Sequence, residues 1–175
     1  MTSEPTRSVR TSWLSGALAR ALPPLLPTVV GALLWGLAMG ASAFLVLAFE
    51  SWATTQKIHA VAALFVIGGA AAFPMGFVLA RFLSHRRNPE TAFAVAFLSL
   101  AVATIGVTGG LFALEYRIYY AEWHAETFSR IWFLQFAHTV AAALYQFAVL
   151  GLRLFVPVAF IALLVASFLF ARRAR

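Results

Sequence analysis

The feature that most constrains this chain is an apolar run at residues 28–48 with no charged residue in it. About 20 such residues in a helix cross a hydrocarbon core of about 30 Å. A helix is the natural form there, because lipid offers no partner for unpaired backbone groups. Two further runs have the same character, at residues 60–80, ending before Arg81, and at residues 92–114, ending before Glu115. Repetition of the pattern predicts an all-α polytopic membrane protein.

Composition points the same way. Hydrophobic residues make up 62% of the 175 and charged residues 11%, whereas soluble domains carry roughly 45–50% and about 25%. So little polar surface would not cover the apolar mass of a water-soluble fold. The formal net charge is +7, with Lys57 the only lysine and no aspartate. The arginines sit at the ends of the apolar runs, which suits lipid contact and topology control rather than nucleic acid. There is no cysteine, so disulfides, thiolate metal sites and thiol redox chemistry are excluded. The Arg- and Ala-rich composition suggests a bacterial inner membrane.

Upstream of the first run, residues 1–10 are polar and residues 11–22 suit a short amphipathic helix, with Trp13, Leu14, Ala17, Leu18 and Ala21 on one face. Such a basic, Trp-bearing helix lies well at a headgroup interface. Pro23, Pro24 and Pro27 then reset the chain. Ala41-Ser42-Ala43 resembles a signal-peptidase site, but the apolar run continues through Phe49, and a retained span is the expectation.

The last apolar stretch, residues 131–171, is too long to be one simple crossing: as a single helix it would extend about 60 Å, roughly twice the hydrocarbon thickness. Positive charge arbitrates between four crossings and five. Four crossings put both termini in the cytoplasm, together with Arg81, Arg86, Arg87 and the cluster Arg172, Arg173 and Arg175, and leave Lys57, Arg117, Arg130 and Arg153 outside. Five would move the C-terminal cluster out and erase the bias. The expected order is a cytoplasmic tail and interfacial helix (1–27), spans at 28–48, 60–80 and 92–114, an extracytoplasmic aromatic segment (115–147), a fourth span (148–171) and a cytoplasmic tail (172–175).

Small residues allow membrane helices to approach closely. Three stripes are expected to hold the bundle: Gly36 with Gly40, Gly68 with Ala72 and Gly76, and Gly106 with Gly110.

The outer segment is the one region polar enough to hold a function. Tyr116, Tyr119, Tyr120, Trp123 and Trp132 are amphipathic rings, with His124 and Arg130 among them. They read as an aromatic belt at the outer headgroups, or as a docking surface, since aromatics mixed with Arg are typical of interface hot spots. Beyond them Gln135, His138, Thr139, Gln146 and Arg153 recur along one side of a helix. They are either the wet face of an extracytoplasmic helix or a polar stripe turned to a bundle or partner. With no Asp or Glu inside the spans, Arg153 is expected to snorkel outward or to pair with lipid or a partner chain.

Chemistry is hard to find. His59, His85, His124 and His138 lack the matched depth a bis-His haem needs, and Glu122, His124 and Glu126 lack metal-ligand spacing on a helix. No cofactor and no catalytic role are expected. The expected function is an accessory or scaffold subunit acting through membrane lipids and a membrane-protein partner or a second copy. The alternative is a small-solute transporter or channel component, and an enzyme acting on lipid stands behind both.

Overall fold

A computed structural model describes residues 24–50, 54–85 and 88–173. Every regular element in it is helical: α1 Leu25–Glu50, α2 Thr55–Leu83, α3 Pro89–Tyr120, α4 Arg130–Gln146 and α5 Val158–Arg173. A 3₁₀ turn at Ala121–Trp123 extends α3, and a π-turn at Phe147–Gly151 followed by a 3₁₀ turn at Leu152–Phe155 links α4 to α5. The proposed interfacial helix at residues 11–22 lies outside the described residues.

Four helical segments are long and apolar enough to cross a membrane: Leu25–Glu50, Thr55–Leu83, Pro89–Trp123 and Arg130–Phe155. The first three contain the expected spans. The third is longer than expected, because Glu115 and Arg117 continue the helix to Tyr120 rather than ending it. At its start Asn88 accepts a hydrogen bond from the Thr91 amide, 3.1 Å, and Pro89 fills the first turn, where no N–H is needed.

The fourth segment corrects the sequence reading. No one helix covers residues 148–171. The segment that meets the length and apolarity requirement is Arg130–Phe155, and α5 has only 16 residues. The physical reason is Pro157. The residue before a proline avoids the helical region, and Val156 is extended (φ −109°, ψ 134°). Helix resumes beyond it, with the Ile161 amide bonded to the Pro157 carbonyl at 3.0 Å.

α1, α2 and α3 pack in sequence order, and small residues set the approach. A Cβ on Gly36 would come within 2.6 Å of the Val66 carbonyl oxygen, and one on Gly69 within 2.6 Å of Met39. Gly40 abuts Val66 of α2. On the other face of α2, Gly68 meets Thr108, Ala72 is fully buried, and Gly76 meets Leu100. The stripe expected in α3 is not there: Gly106 and Gly110 have no neighbour within 4 Å. The contact face of α3 is rotated away from them, through Ala96, Leu100, Thr104, Thr108 and Gly109.

The path from Arg130 to Arg173 returns along α3. Gln146 meets Tyr116, Phe147 packs on Gly109 and Phe112, and Phe160 meets Phe97. Ala159, Leu163, Ser167 and Ala171, spaced by four, form the buried row of α5. Phe170 meets Phe77 near the end of α2, so α5 ends at the same end of the molecule as α2. Beneath the link, Phe65 gathers Phe147 and Phe155, with ring centroids 6.2 and 4.8 Å away.

Candidate functional site

Two regions stand apart from this packing. The first is the hairpin formed by the end of α3, the connection through residue 129, and α4. Its connection is built by three polar contacts. Ser129 caps α4 by accepting from the Trp132 amide, 3.1 Å, and Gln135 accepts from the Ala125 amide, 2.8 Å. The Thr139 hydroxyl donates to the Gln135 carbonyl at 2.7 Å, so it must accept from His124 Nε2 at 3.1 Å. The other ring nitrogen of His124, Nδ1, is buried without a hydrogen-bond partner.

The stripe along α4 therefore divides. Gln135 and Thr139 clamp the connection, and Gln146 Nε2 donates to the Tyr116 hydroxyl at the long distance of 3.5 Å. His138 is exposed and outside this network. Arg153, on the 3₁₀ turn, pairs with Glu50 at the end of α1, Nη2 to Oε2 3.0 Å. Looking for a carboxylate inside the spans overlooked Glu50, which lies at a span end within the chain.

Aromatic rings surround the hairpin in two groups. Tyr116, Tyr119, Tyr120 and Trp123 pack ring to ring at the end of α3. Phe128, Trp132, Phe133 and Phe136 do so at the start of α4. Arg117 joins them, its guanidinium carbon 5.5 Å from the Trp132 ring and 5.3 Å from Phe136. Arg130 opens α4 and is exposed.

Much of this apolar surface is uncovered. Ala143 is the only buried residue in α4. Leu134 is 72% exposed, Tyr145 69% and Phe128 77%. Phe128 also sits at φ 69°, among the described residues the one non-glycine position in the left-handed region, which costs an L side chain about 1 kcal/mol. Sequence reasoning picked out the Tyr and Trp positions but missed Phe128, because nothing in its neighbours encodes a positive φ.

The second region is an apolar cavity of about 290 Å³ between α1, α3 and the break before α5. Trp35 and Met39 form its inner wall, and Ile105, Val156 and Phe160 lie at its exposed edge. In its lining the Trp35 indole N–H donates to the Thr104 hydroxyl oxygen, 3.0 Å. Nothing in the sequence announces it, because its lining comes from α1, α3, the link and α5 together. Among the described residues no three His, Asp or Glu side chains gather as metal ligands.

Comparison with known proteins gave nothing. The chain matches no family model, no curated protein and no solved structure.

Proposed function

We propose that this chain is a multi-pass accessory subunit of a bacterial inner membrane, crossing four times as a helical bundle with both termini in the cytoplasm, and docking to a membrane-protein partner through the α3–α4 hairpin. One observation carries the reading. The segment Arg130–Phe155 is apolar enough to cross a membrane, yet within α4 only Ala143 is buried by its own chain. Its connection is nonetheless held by specific polar contacts, which an idle loop does not need.

Interface anchors are typically aromatic and Arg side chains, and the hairpin has both, with Arg117 already laid over Trp132 and Phe136. Phe128, held at positive φ and largely exposed beside the Trp132 and Phe133 rings, fits a strained contact residue. The solute-path alternative draws on the stripe from Gln135 to Arg153, but Gln135, Thr139 and Arg153 are engaged in joining elements of the chain.

A photoreactive residue at Leu134 or Tyr145 tests the proposal in living cells, with Leu98 on the outer face of α3, 60% exposed, as the comparison. Discrete adducts to one protein from the α4 positions and not from Leu98 are expected. Lipid adducts alone from all three positions would contradict the proposal.

A further inference from the structure

We infer that the cavity between Trp35, Thr104 and the start of α5 binds a lipid-soluble molecule with a planar ring and a ring carbonyl, of the quinone class, entering sideways from the membrane. The inference is independent of the hairpin and of any partner.

The walls define the ring. Ligand pockets are mostly apolar with a few placed polar groups. Here Trp35, Phe97, Phe155 and Phe160 supply four aromatic faces or edges around a space of about 290 Å³. That is just below the usual range for small-molecule sites, roughly 300–1,000 Å³. It suits a substituted ring, while a long tail has to leave through the open edge. That edge exists: Ile105, Val156 and Phe160 are each 42% exposed or more, on the side of the molecule that apolar side chains cover.

Thr104 defines the carbonyl. Threonine hydroxyls in helices commonly donate to the carbonyl four residues back, as Thr139 does. Thr104 is instead held by Trp35 as an acceptor, and no backbone carbonyl takes its proton. It is 4% exposed and lines the cavity. A buried O–H without an acceptor costs free energy, and a carbonyl oxygen on a ligand relieves that cost. Depth separates the candidate ligands. Thr104 lies at the middle of α3, far from where the ester carbonyls of a bilayer phospholipid reside, whereas a molecule dissolved in the hydrocarbon can bring its carbonyl there.

The test uses the full chain in nanodiscs, with Trp35 as the sole tryptophan after Trp13, Trp52, Trp123 and Trp132 are changed to Phe. Titration with decyl-benzoquinone should quench Trp35 saturably. Ala101→Phe, which fills the cavity, should leave only linear, partition-type quenching. Thr104→Val should weaken binding about five- to tenfold, the worth of roughly one hydrogen bond, and Thr104→Ser should restore it. Should Thr104→Val fail to fold, decylbenzene replaces it as the probe: a ligand with no carbonyl should compete at least fivefold less well. Linear quenching that Ala101→Phe leaves unchanged would overturn the site. Competition by decylbenzene or by a brominated phosphatidylcholine as strong as by the quinone would also overturn it, since the cavity would then be an acyl-chain groove.

Discussion

Gly36 and Gly106 stand in the same Gly-x-x-x-Gly spacing and differ in what faces them. Gly36 has the Val66 carbonyl oxygen and Ala70 against it, while Gly106 faces open surface. Gly36→Ala should therefore destabilise the protein by about 1–3 kcal/mol, the usual cost of overpacking. Gly106→Ala should be neutral or stabilising by up to about 1 kcal/mol, from helix propensity alone. Thermal unfolding in detergent separates the two; equal losses would refute the packing described. The spacing was legible in the sequence, but the rotation of α3 about its own axis was not, because it depends on neighbours that the sequence of one helix does not contain. Phe128 gives a second prediction at this scale. Phe128→Gly removes the left-handed penalty, and isolated protein should gain about 1 kcal/mol. If the hairpin docks a partner, the same change should reduce adduct formation from Leu134, so stability and binding move in opposite directions. A loss of both would remove Phe128 as a strained contact residue.

At the scale of elements, the link between α4 and α5 decides how the final stretch is used. Its break was legible in part. The excess length of residues 131–171 argued against a single helix. The expected fourth span, 148–171, nonetheless runs straight through Pro157 and through part of the irregular link, Phe147–Phe155. What remained hidden was the anchor. Glu50 lies at the end of α1, about a hundred residues from Arg153, and nothing in either local sequence announces the pair. Both side chains are more than a third exposed, so solvent screening keeps the contribution to about 1 kcal/mol or less. Arg153→Glu should lower the unfolding temperature by setting two carboxylates together, and the exchange Glu50→Arg with Arg153→Glu should recover most of the loss. Failure of the exchange to recover stability would separate Arg153 from Glu50. The hairpin clamp behaves as its own unit. Gln135→Leu leaves the Ala125 amide without its acceptor, and hydrogen exchange should quicken in residues 121–129 while α1 to α3 keep their protection. Uniform loss of protection would mean that the hairpin and the three-helix packing unfold together.

For the whole molecule, composition alone was sufficient to indicate the solvent. A chain with 62% hydrophobic and 11% charged residues has its apolar surface turned outward, as the many exposed Leu, Val and Phe side chains of α1 to α5 are. In the proposed topology, direction across the membrane rests on the arginines, and α5 finishes beside the end of α2, at one end of the molecule. The hairpin tip at Phe128 belongs to the opposite end. Because the chain contains no cysteine, single introduced cysteines report topology without background. Phe128→Cys and Arg175→Cys, treated in intact spheroplasts with a membrane-impermeant maleimide, test the central claim most directly. The account predicts labelling at position 128 and protection at position 175 until the membrane is opened. Labelling of both positions in intact spheroplasts would contradict it, because positions 128 and 175 would then lie on the same side of the membrane with no net crossing between them.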